Sequence, residues 1–189
     1  MSYRGELDDI IPFLRNGGLI LFPTDTIWGI GCDALNEVAV RKVFDLKKQA
    51  FDKKLVLLVS DVEMLHHYVS NIHPKINAIN DYHEKPVTII YNHPRNLPDF
   101  NISEDGTVAI RIVKDEFCQA IIKALGAPIV ATIASLDNET FPANFNQVSR
   151  TIKEGVNYIV RYRQNETAKN QPSVMVRLTN KEELNFIRT

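Results

Sequence analysis

The sequence LILFPTDTIWGIGCDA, which occupies residues 19–34, carries the clearest structural signal in the chain. Its first four residues are all apolar, and a short run of this kind predicts a strand buried on both faces. Thr24, Asp25 and Thr26 follow directly. Polar groups at the end of a central strand are well placed to hold a small polar ligand, although the same residues could instead bond their own backbone in a turn. The apolar segment after them is interrupted by two glycines.

Helical and strand-like patterns alternate along the rest of the chain. The helices are predicted over 7–14, 36–48, 61–68, 74–82 and 115–125, with another that begins at Asn146 or Ser149 and ends at Glu154. Further strands are predicted over 55–59, 86–91, 107–113, 128–132, 156–161, 173–178 and 184–188, and a mobile polar loop over 162–171. This alternation favours an α/β protein with a mixed sheet, and the length of 189 residues favours a single domain.

The bulk composition is that of an ordinary soluble globular protein, with 44% hydrophobic residues, 24% charged residues and a net charge of −1. The first ten residues carry acids where a signal peptide needs basic residues, and no apolar run approaches the roughly 18 residues that span a membrane. We therefore expect a cytoplasmic protein without membrane contact. Cys32 and Cys118 are expected to be reduced core thiols. The five histidines lack metal-ligand spacing, so no metal site is expected.

Two cationic features are candidates for ligand contacts. The segment DLKKQAFDKK at 45–54 places four lysines at a helix end, where they either face solvent or, through Lys47 and Lys53, bind phosphate. In TVAIRI at 107–112, strand alternation places Arg111 on the face opposite Val108, Ile110 and Ile112. A permanently charged guanidinium on a buried strand needs an anionic partner or an open cleft. A structural salt bridge and the recognition of a ligand carboxylate both remain open.

The segment LILFPTDTIWGIGCDALNEVAVRKVFDLK resembles the YrdC-like family of threonylcarbamoyl-adenylate synthases. The resemblance continues through GTVAIRIVKDEF, LGAPIVAT, EGVNYIV and PSVMVRL…FIR, and so covers about residues 7 to 188. It implies a twisted mixed sheet with flanking helices around a large concave cavity. The reaction that it implies converts L-threonine, bicarbonate and ATP into threonylcarbamoyl-AMP and pyrophosphate, for the t⁶A modification of tRNA. ATP with Mg²⁺ would be a substrate complex, and no permanently bound cofactor is expected.

The resemblance also assigns candidate roles to individual residues. Its motifs place threonine-binding residues at Thr26, Arg111 and Ser173, and nucleotide-binding residues at Lys47, Lys53, Thr107, Ser135 and Arg188. No residue is assigned a catalytic role. Family members have also been described as binding double-stranded RNA and tRNA, which makes these further expected partners, and the chain is expected to be a monomer or a homodimer.

Several positions depart from the family pattern. Gln49 replaces the arginine of a Lys-x-Arg motif, and Trp28 replaces a tyrosine. Where the family reads Ala-Thr-Ser-Ala-Asn, this chain has Ile133 and Ser135 in place of the serine and asparagine. Losing the arginine and the serine would weaken nucleotide or transition-state binding by about 3–6 kcal/mol. The alternatives are therefore an impaired synthase, an inactive paralogue that binds double-stranded RNA, tRNA or a nucleotide, and an enzyme of the same fold with another substrate.

Overall fold

The computed structural model of the chain describes residues 3–51, 55–83, 85–136, 139–167, 171–179 and 181–188. These residues contain six α-helices and nine β-strands, together with short 3₁₀ turns at Asp99–Asn101 and Phe145–Gln147. In chain order the elements are α1 (Arg4–Arg15), β1 (Ile20–Phe22), β2 (Gly29–Asp33), α2 (Glu37–Lys47), β3 (Val56–Val59), α3 (Val62–Tyr68), α4 (Pro74–Tyr82), β4 (Val87–Tyr91), β5 (Val108–Ile112), α5 (Glu116–Leu125), β6 (Ile129–Ile133), α6 (Arg150–Gly155), β7 (Tyr158–Ile159), β8 (Val174–Leu178) and β9 (Leu184–Arg188).

All nine strands join one mixed sheet in the order β7-β1-β2-β6-β3-β5-β4-β8-β9. β1 pairs in parallel with β7, β3 with β5, and β4 with β8, whereas the other neighbours are antiparallel. The predicted class, a mixed α/β sheet with flanking helices, is confirmed. The prediction that β1 is a central strand is wrong, because β1 lies second from the edge and only the two-residue β7 lies beyond it.

Helices cover both faces of the sheet and produce two apolar cores. One core contains buried residues of α2, α3, α4 and α6, including Val40, Phe44, Leu65, Ile76 and Ile152. The other contains residues of α1 and α5, including Ile10, Leu14, Phe117 and Ile121. Alternation along β3 divides the strand between the two, since Leu57 and Val59 belong to the first core and Leu58 to the second. Both cysteines are free and buried, as expected.

The strand β2 is absent from the predicted elements, because its two glycines interrupt the apolar segment in the sequence. Gly31 of β2 is paired with Ile20 of the antiparallel neighbour β1. A Cβ atom added at Gly31 would lie 2.6 Å from Cε1 of Phe22, so a side chain there would collide with that ring. The glycines therefore make room for a large neighbour within a continuous strand. The apolar residues Ile30 and Cys32, which are two positions apart, are the sequence signal that indicates the strand.

Most other predicted elements are confirmed with small shifts at their ends. α1 begins three residues before the predicted position and contains Pro12. The predicted strand over 156–161 is wrong in length, because only Tyr158–Ile159 pairs with β1. α6 begins after Ser149, which settles the alternative between Asn146 and Ser149, and Asn146 belongs to a 3₁₀ turn instead. None of the helices in the described residues is long and apolar enough to cross a membrane.

The face of the sheet that α1 and α5 cover also carries an open pocket. On β6, Ile129 belongs to the core under α1 and α5, and Ala131 and Ile133 follow on the same face. On β5, Arg111 shares that face, since Ile110 and Ile112 point to the first core. Ala131, Ile133 and Arg111 all line the pocket. The sheet therefore supplies the floor of the pocket where the two helices leave it uncovered.

Candidate functional site

The pocket, which lies on the face of the sheet that α1 and α5 partly cover, has a volume of about 190 Å³. Its wall combines apolar groups from β3 and β6 with hydroxyl and guanidinium groups from the β1–β2 connection, β5, β8 and β9. The lining residues are Thr24, Thr26, Ile27, Trp28, Gly29, Leu55, Val56, Arg111, Ala131, Thr132, Ile133, Pro172, Ser173, Met175 and Arg188. Residues that are far apart in sequence therefore meet at one concave site.

A buried ion pair lies at the base of the pocket. The Nη2 atom of Arg111 is 3.2 Å from Oδ1 of Asp25, and the two side chains are only 6% and 10% exposed. The alignment is too poor for a hydrogen bond, so Oδ1 has no hydrogen-bond partner among the described residues, and neither does Nε of Arg111. The other carboxylate oxygen of Asp25 accepts a hydrogen bond from the backbone N–H of Lys114 at 3.3 Å. The pair therefore holds the guanidinium by its charge, while Nε has no hydrogen-bond partner among the described residues.

Two threonine hydroxyls lie beside this ion pair. Nη1 of Arg111 donates to Oγ1 of Thr26 at 3.3 Å, and Oγ1 of Thr26 is 2.8 Å from Oγ1 of Thr24. Thr24 in turn donates to the carbonyl oxygen of Ile27 at 2.9 Å and accepts from the backbone N–H of Thr26 at 3.0 Å. Both threonines are buried. The turn and the ligand-binding interpretations of this segment are therefore compatible, because its backbone bonds also orient polar groups that line the pocket.

A second guanidinium lies on the wall formed by β8 and β9. Nε of Arg188 donates to the carbonyl oxygen of Ser173 at 2.9 Å, and its Nη2 donates to the hydroxyl of Ser173 at 3.1 Å. That hydroxyl is also 2.7 Å from Oγ1 of Thr88, which is fully buried on β4. Burial, and secondly the nearby charge of Arg111, lowers the pKa of Arg188. Two arginines thus line the pocket, and the pocket lining among the described residues contains no carboxylate, so this charge balance favours an anionic ligand.

The end of β6 is different in character. The ammonium group of Lys47, the last residue of α2, donates to the carbonyl oxygens of Ile133 at 2.7 Å and Ser135 at 2.5 Å. Lys47 is only 4% exposed. The backbone N–H of Ser135 donates to the carbonyl oxygen of Ile133 at 2.8 Å, which closes a tight turn. The hydrocarbon side chain of Ile133 lines the pocket. Lys47 is not among the lining residues, and its two hydrogen bonds connect the turn to α2.

The structure brings some of the predicted site residues together and separates others. Thr26, Arg111, Ser173, Arg188 and the altered position Ile133 line the same pocket. Four predicted positions are not part of that lining: Lys47 and Ser135, which form the turn described above; Thr107, whose hydroxyl donates to Oδ1 of Asp105 at 2.6 Å; and Gln49, whose backbone N–H donates to the carbonyl oxygen of Phe44 at 3.0 Å. Lys53 lies outside the described residues.

Three further residues have polar contacts at the site: Thr24 and Asp25 belong to the polar group that the sequence indicates as a candidate ligand site without assigning them individual roles, whereas Thr88 is not among the predicted residues. Asp25 partners Arg111, Thr24 partners Thr26, and Thr88 partners Ser173. A threonine inside the apolar run VTII, at a strand position that faces the same side as Arg111, is the signal that could have indicated Thr88. Among the described residues, no group of three or more His, Cys, Asp and Glu side chains comes together as a metal site.

The chain is similar to known proteins over most of its length. Residues 12–189 match the family model Sua5_yciO_yrdC, which is described as "Telomere recombination". The threonylcarbamoyl-AMP synthase of Stenotrophomonas maltophilia is 31% identical over 142 residues, a match that covers 70% of this chain and 73% of that protein. The corresponding synthase of Coxiella burnetii is 26% identical over 139 residues, covering 73% of this chain and 75% of that protein.

Solved structures share the fold. The crystal structure of P. abyssi Sua5 complexed with L-threonine superposes with a TM-score of 0.84 at 22% identity, covering 97% of this chain and 54% of that one. E. coli YciO superposes with a TM-score of 0.84 at 18% identity, covering 98% and 89%. This chain therefore spans about half the length of the P. abyssi protein and most of the length of E. coli YciO. At these identities the likeness establishes the fold.

Proposed function

The chain belongs to the Sua5/YciO/YrdC family, and we propose that it acts as a threonylcarbamoyl-AMP synthase. In this proposal L-threonine, bicarbonate and ATP are the substrates, and threonylcarbamoyl-AMP, pyrophosphate and water are the products. The matches to relatives that carry this name cover 75% and 73% of the length of those relatives. ATP would enter as its Mg²⁺ complex, with the metal carried by the nucleotide phosphates.

The observation that carries the proposal is the guanidinium of Arg111 in the pocket. It lines the pocket, is only 6% exposed, and has an Nε donor without a partner among the described residues. A carboxylate is the common anionic partner for such a group, because its two oxygens match the guanidinium fork. The neighbouring hydroxyls of Thr26 and Ser173 suit a ligand that also carries hydrogen-bonding groups. An α-amino acid such as L-threonine has this combination.

The nucleotide half of the proposal rests on fewer groups. Arg188 is the second cation in the pocket wall, and its charge supports the binding of an anionic group there. We propose that it faces the phosphates of ATP. Lys53, Thr107 and Ser135 remain predictions as nucleotide contacts, and for Lys47 we favour a role in holding the turn at which the nucleotide binds. Gln49 and Ile133 would then reduce phosphate binding relative to the family pattern.

The remaining parts of the proposal follow from the family assignment. We propose that residues 1–189 form one YrdC-like domain, that the protein acts in the cytoplasm, and that its product is used to modify tRNA. Binding of double-stranded RNA or tRNA, and the state of monomer or homodimer, stay predictions. No permanently bound cofactor is part of the proposed reaction.

A product assay tests the proposal directly. Purified protein is incubated with L-threonine, bicarbonate, Mg²⁺ and ATP, and pyrophosphate and threonylcarbamoyl-AMP are measured. We expect both products in equal amounts, and a loss of product in the Arg111→Ala variant. Product formation that is no higher in the native protein than in this variant would refute the synthase assignment. The inactive paralogue would then be supported if duplex RNA bound with an affinity that falls steeply as salt is raised.

A further inference from the structure

The hydrogen atoms of the two threonine hydroxyls beside Arg111 can be assigned from the contacts. A hydroxyl has one hydrogen to donate, and a carbonyl oxygen can only accept. Oγ1 of Thr24 is 2.9 Å from the carbonyl oxygen of Ile27, so the hydrogen of Thr24 points there. The 2.8 Å contact between the two hydroxyls therefore has Thr26 as its donor and Thr24 as its acceptor.

This assignment fixes the polarity that Thr26 presents to the pocket. Its hydrogen points to Thr24, and one of its two lone pairs accepts the N–H of Arg111 at 3.3 Å. What remains is one lone pair, and Thr26 lines the pocket. Thr26 therefore offers an acceptor to a ligand. A guanidinium offers donors alone, so Arg111 and Arg188 cannot supply this function in the pocket.

We propose that Thr24 is a positioning residue, which holds the hydroxyl of Thr26 as an acceptor for the α-amino group of the ligand. The inference rests on the proposed function, in which the ligand is an amino acid. Its carboxylate binds Arg111, and the α-amino group is attached to the carbon next to that carboxylate. Oδ1 of Asp25 also lies beside Arg111, but Asp25 is not among the lining residues. The hydroxyl of Thr26, which itself accepts from Arg111, is consequently the acceptor in the pocket lining that is adjacent to that amino group.

The same contact has a consequence for the reaction. The α-amine of threonine is the atom that becomes carbamoylated in the proposed function. A hydrogen bond donated by the amino N–H to Oγ1 of Thr26 holds the amino group in one orientation. Once the amine is neutral, the reactive lone pair of its nitrogen then points in a defined direction. Thr24 has no contact with the reacting atoms in this arrangement, and it acts through Thr26.

The test compares two ligands by isothermal titration calorimetry. One is L-threonine, and the other is (R)-3-hydroxybutyrate, which has the same carboxylate and hydroxyl but lacks the amino group. The ratio of the two Kd values measures selectivity for the amino group. In Thr24→Val the hydroxyl of Thr26 loses its acceptor and is free to rotate, so we expect this selectivity to fall about tenfold. Thr24→Ser keeps the hydroxyl and should retain the native selectivity within about twofold.

The ratio separates a positioning role from a merely structural one. If Thr24→Val only damages the pocket, the binding of both ligands weakens equally and the ratio of the two Kd values is unchanged. An unchanged ratio would overturn the inference. The proposed function would still stand if the native protein binds L-threonine. Failure of the native protein to bind L-threonine would overturn both. If Thr24→Val does not fold, Thr26→Val removes the acceptor itself and carries the same expected fall, and an unchanged ratio there would equally overturn the inference.

Discussion

At the base of the pocket Arg111, Asp25 and Thr26 form a buried polar cluster, whereas at the end of β6 the pocket wall is the hydrocarbon of Ile133. Both regions contain a buried cation. The Nε atom of Arg111 has no hydrogen-bond partner among the described residues, whereas the ammonium group of Lys47 donates to two backbone carbonyl oxygens. The two cations also differ in position, because Arg111 lines the pocket whereas Lys47 is not among the lining residues.

This difference divides the proposed reaction between the two regions. The Arg111 cluster is pre-organised, since its groups hold one another before a ligand arrives, and little ordering cost remains for binding. At the end of β6, Ile133 gives a phosphate neither charge nor hydrogen bonds, and apolar surface beside an anion is unfavourable. We therefore expect the contacts to the amino-acid substrate to follow the family pattern more closely than the contacts to ATP.

The largest effect is expected from removal of the charge of Arg111. The Arg111→Met variant leaves the carboxylate of Asp25 buried without its cation, which should lower the free energy of unfolding by about 3–5 kcal/mol. The Kd for L-threonine should rise roughly 100-fold or more. Chemical denaturation and calorimetry measure the two quantities separately.

The double variant Arg111→Met with Asp25→Asn is the matched control for that prediction. It removes both charges, so much of the lost stability should return, while threonine binding stays weak. If threonine binding returned together with stability, Arg111 would serve only as a structural partner of Asp25. The pocket would then recognise its ligand through other groups.

A smaller effect is expected at Lys47, and on stability first. Lys47→Met leaves the carbonyl oxygens of Ile133 and Ser135 without their charged donor, which should lower the free energy of unfolding by about 2–3 kcal/mol. The neighbouring Lys48 is exposed, and Lys48→Met should change stability by less than about 0.5 kcal/mol. Unaltered stability with a large loss of ATP affinity would instead make Lys47 a direct phosphate ligand, as the family motif implies.

The smallest effect is expected from restoration of polar groups at the end of β6. Ile133→Ser places a hydroxyl in the pocket wall and should improve the Kd for ATP by up to about tenfold. Adding Ser135→Asn and Gln49→Arg should extend the gain. Val56→Thr introduces a hydroxyl on the neighbouring strand β3, which also lines the pocket, and serves as the control. An equal gain in both single variants would show that general polarity, and not the position of Ile133, limits nucleotide binding.

The sequence was sufficient for features that depend on local periodicity. Alternation in TVAIRI placed Arg111 on the face away from Ile110, and the structure confirms that face and supplies both an anionic partner and a pocket. The mixed α/β class followed from the succession of helical and strand-like segments. Both conclusions rest on spacings of two to four residues, which a single sequence displays directly.

Features that depend on distant neighbours could not be derived in this way. A lysine at a helix end has the same local pattern whether it faces solvent, phosphate or backbone, and the carbonyl partners of Lys47 lie 86 and 88 residues further along the chain. The strand β2 was missed for a related reason, because Gly31 is explained only by the ring of Phe22 on the adjacent strand. In each case the deciding group becomes a neighbour only after the sheet has formed.

The position of β9 links the pocket to the local dynamics of the sheet. Within the described part of the chain β9 is an edge strand that pairs with β8. Its residues Leu184, Phe186 and Ile187 are 38%, 50% and 51% exposed, so detachment of β9 exposes little additional surface. Yet this strand carries Arg188, one of the two cations of the pocket. Brief opening of β9 would remove that cation while the rest of the sheet stayed folded. The observed affinity for an anionic ligand then equals the intrinsic affinity multiplied by the fraction of time that β9 is docked.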